Sequence, residues 1–431
     1  MTRAHATRVP ASDDPLLACL GLTLGFTLLC LWRLWLPCGP YFDEIHYLPA
    51  ARELLTGFDY RNPEHPPLGK EIIAAGIWLL GDNPWGWRIF SALAGTLALF
   101  AGMRALWHAS HSRDATLAYG VLLATGFLLF VHAQIAMLDI FMAAFFLTAL
   151  WLFASACRQR REPRARLDLI ASGIALGLSM AAKWNAVPLA PLLGLFFLAM
   201  RIHAGTSRER FADGDASPVR GVSLVEAALW LGVLPLAVYS ATFWPAFQVE
   251  NGPFAGMDLL GAHLHMLELQ ESVKEAHPYQ STWGQWVLNT RAIWYLYEVT
   301  DGAQRGVMLI GNPLTMLLGL IGAAWCAFAA LFRRRADAGF AVTLYAASIG
   351  FWIVAAKPIQ FYYHYFLPSC FLLACLALML ARLRATGFGW AYWAVLAGSV
   401  GVFVYFYPIL SAAELWGEQA FNQWMWLAGW R

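Results

Sequence analysis

Stretches of about 20 apolar residues recur along nearly the whole of this 431-residue chain, parted by short polar breaks. Reading runs against breaks gives about eleven, near 16–36, 85–107, 115–131, 134–156, 167–182, 184–201, 223–245, 306–332, 338–356, 363–381 and 389–408. A helix of that length crosses hydrocarbon and pairs its own backbone N–H and C=O groups, which lipid cannot do for it. With 59% hydrophobic and only 13% charged residues, the chain has too little polar side chain to cover a soluble fold. The sequence therefore predicts an all-α polytopic membrane protein, a single membrane domain over 1–431. The first run follows a polar stretch longer than the charged region of a signal peptide, so it is expected to stay as an anchor.

The arginines assign the two faces. Arg3 and Arg8, Arg104 and Arg113, the cluster from Arg158 to Arg166, Arg201 to Arg220, Arg333 to Arg335, and Arg382 with Arg384 all fall on alternate loops. The positive-inside rule makes that face cytoplasmic, the N-terminus with it. The loops 37–84 and 246–305 and the tail 409–431 are then extracytoplasmic. The segment 204–222 mixes Gly, Asp, Ser and Arg without apolar periodicity and reads as a cytoplasmic linker. A net charge of +2 suggests no nucleic-acid partner. The seven cysteines lack CxxC spacing and lie mostly in apolar runs, as small buried side chains do.

Ionisable groups concentrate in the first outer loop, at Asp43-Glu44 and again at Glu64-His65-Pro66-Pro67-Leu68-Gly69-Lys70. Asp43, His46 and Tyr47 share one face of a short interfacial helix over 42–56, which Gly57 stops, and 68–80 reads as a second. On local sequence alone, acid decorating a helix N-terminus explains the pair as well as chemistry does. Arg88 and Lys183 lie at outer span ends, where snorkelling competes with function, and Asp139 sits inside the fourth run near the same face. His277, Tyr279 and His364 add polar-aromatic groups of the kind that pack on sugar rings, or that line a membrane interface. Cations beside a bilayer suit a lipid phosphate, and a carboxylate suits deprotonation of an acceptor hydroxyl. Together these groups fit sugar transfer from a polyprenyl phosphate. A lipid-linked sugar flippase or transporter is the reading from another class, but it calls for charges at the midplane rather than at one face.

The motifs Phe42-Asp43-Glu44-Ile45-His46-Tyr47, His65-Pro66-Pro67-Leu68-Gly69-Lys70, Leu138-Asp139-Ile140-Phe141, Lys183-Trp184-Asn185, Gly311-Asn312-Pro313 and Phe361-Tyr362-Tyr363-His364-Tyr365 occur in an order that resembles the protein O-mannosyltransferase family. The resemblance implies a GT-C-type bundle of about eleven spans and an inverting transfer, most simply of mannose, from a polyprenyl phosphate carrier to Ser/Thr hydroxyls of proteins at the outer face of a bacterial inner membrane. Asp43 would be the general base and Glu44 its orienting neighbour, both counted as catalytic, with Arg88 supporting the donor phosphate. His65, Lys183, Asp139, His277, Tyr279 and His364 complete the expected donor phosphate and sugar set. Lipid A aminoarabinose transferases share the layout, and their Glu-Lys-Pro-Pro-Leu is similar to Glu64-His65-Pro66-Pro67-Leu68. That likeness leaves a lipid or glycan acceptor as the alternative and makes Glu64 the candidate ligand for a divalent metal, although no HxxxH or HExxH motif supports one.

Overall fold

The computed structural model describes residues 13–204, 217–272, 275–355, 357 and 359–431; Arg3, Arg8, Arg208, Arg210 and most of the expected 204–222 linker lie outside them. In chain order the helices are α1 (Leu16–Leu31), α2 (Glu44–Thr56), α3 (Leu68–Leu80), α4 (Pro84–Ser110), α5 (Arg113–Ala124), α6 (Leu128–His132), α7 (Leu138–Ala156), α8 (Glu162–Ala182) and α9 (Pro191–Ala204). After them come α10 (Leu224–Phe247), α11 (Leu259–Ser272), α12 (Trp283–Val287), α13 (Pro313–Arg333), α14 (Ala336–Val354), α15 (Phe366–Ala385) and α16 (Gly389–Leu410). Nine helical segments among the described residues are long and apolar enough to cross a membrane, and the chain is an integral membrane protein. The two helices expected in the first loop are α2, which begins at Glu44 rather than 42, and α3, at the expected limits.

Three expected spans differ. The first run is helical only to Leu31. The third, expected unbroken over 115–131, stops at Ala124, turns at Phe127 (φ 77°) and resumes as α6. Such a break inside an apolar bundle needs its freed backbone groups paired. Asn312 supplies the partners: its backbone N–H donates to Gly126 O (3.1 Å) and its Nδ2 to Thr125 O (3.0 Å). The eighth run, expected helical from 306, opens instead as β2 (Ala303–Leu309), paired antiparallel with β1 (Ile293–Thr300). Asp301 (φ 49°) and Gly302 (φ 74°) make the turn between them. The helix α13 starts only at Pro313, where Asn312 Oδ1 accepts from Leu314 N–H.

Short connections at 111–112, 157–161, 334–335 and 386–388 join successive long helices at one end. The opposite end receives α2, α3, α11, the hairpin and the tail. α15, almost wholly buried, packs against α5, α13 and α14. α3 crosses α4 closely enough that a Cβ on Gly76 would collide with the Gly86 carbonyl oxygen, so backbone touches backbone there. That crossing fixes the loop between α2 and α3 over the start of α4. α3 also touches α7 and α8, so the ends of α4, α7 and α8 meet beneath the first loop.

Candidate active site

Asp43 and Glu44 are neighbours in sequence with opposite fates. Phe42 adopts a left-handed φ of 51°, an uncommon state for a bulky residue, and stacks on Tyr295 of β1 with ring centroids 3.9 Å apart. Past that turn Glu44 is wholly buried while Asp43 stays half-buried at the start of α2. Glu44 Oε1 accepts from Arg88 Nε (2.8 Å) and Ala136 N–H (2.9 Å). Its Oε2 accepts from Arg88 Nη2 (2.8 Å) and Tyr41 N–H (3.2 Å). Arg88 spends its remaining N–H groups on the carbonyls of Leu34 (3.3 Å), Pro37 (2.8 Å) and Gly39 (3.0 Å).

This buried pair joins the chain after α1, the start of α2 and the loop before α7. Because Glu44 follows Asp43 and Ala136 lies just ahead of Asp139, it also sets two carboxylates against each other. Arg88 was expected at the donor phosphate, and Glu44 among the catalytic groups. With all five guanidinium N–H groups committed, Arg88 has none to give a phosphate. With four accepted bonds and no exposure, Glu44 has both carboxylate oxygens committed within the fold.

Of the groups around Asp43, Tyr47 and His46 are local and the others come from distant parts of the sequence. Tyr47 OH donates to Asp43 Oδ2 (3.3 Å). Lys183, at the end of α8, donates to Asp139 Oδ2 (2.7 Å) and lies 4.7 Å from the Tyr363 ring centroid. The second oxygen, Asp139 Oδ1, is buried without a partner among the described residues, and so is His364 Nε2. His364 sits among the rings of Trp352 (4.1 Å), Tyr363 (4.5 Å) and Trp286 (5.9 Å). Burial raises the Asp43 carboxyl to about 6; Lys183 opposes the shift and Asp139 adds to it. A carboxylate so tuned is an efficient base near neutral pH. The same burial, with Lys183, Lys357 and Lys70 adding to it, holds His65 well below its ordinary pKa, so the ring is neutral.

Lys357 is the residue that sequence reading missed. Burial and Lys183 lower it to about 8, while Asp139 and Asp43 pull the other way, which places it in the same electrostatic group. A lone cation just past an apolar run, followed at once by Pro358 and an aromatic stretch, was the available signal. His277 and Tyr279 stand outside the group: His277 is exposed, its Nδ1 accepts from Tyr279 N–H (3.1 Å), and its ring meets Phe361 (5.1 Å), which stacks on Tyr363 (5.3 Å). They border the site one ring away. Glu64 accepts from Asn62 Nδ2 (2.9 Å), and no three His, Cys, Asp or Glu side chains among the described residues meet as a metal set.

A pH profile follows from the sign of the Asp43 shift. The base form is the carboxylate, so kcat/KM should rise about tenfold per pH unit below about pH 6 and level off above it. A profile flat from pH 5 to 8 would remove Asp43 from proton transfer.

Comparison with known proteins bears on the whole chain. Residues 64–213 match the family described as dolichyl-phosphate-mannose-protein mannosyltransferase, and residues 257–430 match the C-terminal four-transmembrane region of protein-O-mannosyltransferase. The polyprenol-phosphate-mannose–protein mannosyltransferase of Mycolicibacterium smegmatis is 26% identical, aligned over 91% of this chain and 88% of its own. Among solved structures, the S. cerevisiae protein O-mannosyltransferase Pmt1-Pmt2 complex bound to the sugar donor superposes with a TM-score of 0.81 at 16% identity, covering 99% of this chain and 93% of that one. ArnT from Cupriavidus metallidurans bound to undecaprenyl phosphate gives 0.57 at 18% identity, covering 88% and 62%. The fold is thus that of the GT-C membrane glycosyltransferases. Both halves of the sequence match the same family, and the chain belongs to the protein O-mannosyltransferases.

Proposed function

We propose that this chain transfers mannose from a polyprenyl phosphate carrier, with inversion, to Ser or Thr hydroxyls of polypeptides at the extracytoplasmic face of a bacterial plasma membrane, its N-terminus cytoplasmic. One observation carries the reading: among the described residues, Asp43 is the carboxylate of the cluster that makes no ion pair, while Glu44 is held by Arg88 and Asp139 by Lys183. The acceptor hydroxyl gives its proton to Asp43 as its oxygen bonds to the anomeric carbon. The bond from that carbon to the phosphate oxygen breaks, and its electron pair leaves with the polyprenyl phosphate. Lys183 and Lys357 hold that charge, and Asp139 Oδ1 and His364 Nε2 are placed for sugar hydroxyls. A retaining double displacement needs a second carboxylate free to attack the sugar, and both candidates are engaged.

The relatives support donor and acceptor class: the M. smegmatis relative is named for polyprenol-phosphate-mannose and protein, and the C. metallidurans structure holds undecaprenyl phosphate. The arginine-rich short loops support the sidedness.

Purified protein given polyprenyl phosphate mannose and a Ser/Thr-rich peptide should mannosylate the peptide. Transfer from a different polyprenyl phosphate sugar and none from the mannose donor would overturn the sugar assignment. Lys357→Met should raise the donor KM roughly ten- to hundredfold, the worth of one charge-assisted phosphate contact, and lower kcat as well, because the same ammonium meets the leaving phosphate. An unchanged KM would take Lys357 off the donor.

A further inference from the structure

At the other end of the bundle, a helix length from Asp139, a cavity of about 310 Å³ opens between α4, α5, α7, α9, α14 and α15. The 19 residues of α7 put roughly 27 Å between the two ends. Its walls are mainly apolar, with Leu147, Leu150, Phe196, Phe340 and Phe371 among them, and its basic and acidic members are His108, Arg158 and Asp337, the last paired with Arg335. At its rim Arg158 donates from Nε to His108 O (2.9 Å) and from Nη2 to Ala109 O (3.2 Å), so its guanidinium caps the end of α4. Pro218 also lines the cavity. Two residues beyond each of these, the chain enters a second, basic hollow lined by Arg160, Arg161, Arg164 and Arg220. Among the described residues, Glu162 (3.8 Å from Arg220) and Asp168 (3.3 Å from Arg164) are the carboxylates paired with these four guanidinium groups.

Arginine-rich loops follow from topology alone, but topology does not require an apolar cavity whose lining stands two residues from them at both Arg158 and Pro218. We infer that the pair of hollows binds one anionic phospholipid of the inner leaflet, an acyl chain in the cavity and the phosphate headgroup at Arg160, Arg161, Arg164 and Arg220. Charge selects the headgroup, because a net excess of guanidinium lies within a few residues of the cavity's Arg158 and Pro218. Apolar walls within the bilayer take hydrocarbon without a polar atom being stranded. The site rests on the sidedness proposed above and is independent of the chemistry at Asp43. It differs from a donor-lipid site in its place, a helix length from the carboxylates.

The test is native mass spectrometry of the full-length protein released from vesicles of equal phosphatidylglycerol and phosphatidylcholine. Retention of a single phosphatidylglycerol is expected. Ala154→Trp, which fills the cavity, should lower that occupancy at least tenfold, and Leu150→Trp serves as a second filling variant. The triple variant Arg160→Ala, Arg164→Ala, Arg220→Ala should keep a lipid but lose the preference for phosphatidylglycerol. Mannosyl transfer in phosphatidylcholine vesicles serves as the folding control for every variant. Equal retention of both lipids, undiminished retention in both tryptophan variants, or recovery of polyprenyl phosphate as the retained lipid would overturn the assignment.

Discussion

Asp43→Asn should lower kcat by about 10²–10⁴-fold, the usual contribution of a positioned general base. Asn keeps the shape of the side chain, and its Oδ1 still accepts from Tyr47 OH, so the start of α2 is preserved. The Asp139–Lys183 pair and the Glu44–Arg88 staple do not involve the altered oxygen. Donor binding should therefore stay within a few-fold of the parent, because the substitution removes a negative charge rather than a phosphate ligand. Single-turnover rates beside donor affinity separate the two effects. Parent-like turnover in Asp43→Asn would end the base assignment, and so would a loss that merely follows a fall in thermal stability.

Breaking the Glu44–Arg88 pair from one side should cost about 3–5 kcal/mol of stability, the price of a buried charge left without its partner. Arg88→Met strands a carboxylate that has no access to water, and Glu44→Gln strands a guanidinium. Arg88→Lys should not restore it, since three ammonium donors cannot replace five in a planar fork that reaches Glu44 and three carbonyls. The double variant Glu44→Gln, Arg88→Met should recover part of the loss, because no unpaired charge remains. Thermal unfolding in detergent, read as Tm with activity after cooling, measures all four. If Arg88→Met kept the parent Tm and lost only donor affinity, Arg88 would be a phosphate ligand and not a staple.

Hydropathy made most of the bundle readable, because each lipid-crossing helix must carry its own apolar run. It failed where polar order hides inside such a run. The hairpin was absorbed into the eighth span because Val307 to Ile310 is as apolar as the helix that follows. Asp301-Gly302 is the dipeptide that a tight hairpin turn favours, and it was there to be read. The break at Phe127 depends on Asn312, far along the chain, and no local pattern announces it.

The acidic pair was conspicuous as charge in an uncharged chain, but its division of labour was not. Which of two adjacent carboxylates is spent depends on where the five N–H groups of Arg88 go, a fact of tertiary packing alone. Lys183 and Asp139 were visible as costly charges at span ends, and their contact is visible only when α7 and α8 stand side by side. Lys357 escaped notice because a single lysine past a span looks like an anchor to the headgroups.

If Asp43 activates a hydroxyl for direct displacement of a polyprenyl phosphate, the stereochemistry of the product shows it most directly. The anomeric configuration of the peptide-linked sugar, read by NMR or by linkage-specific glycosidases after transfer from a donor of defined configuration, should be opposite to that of the donor. A product with the donor's configuration would contradict direct displacement, because it would require a second carboxylate to attack the sugar, and Glu44 and Asp139 are held by Arg88 and Lys183.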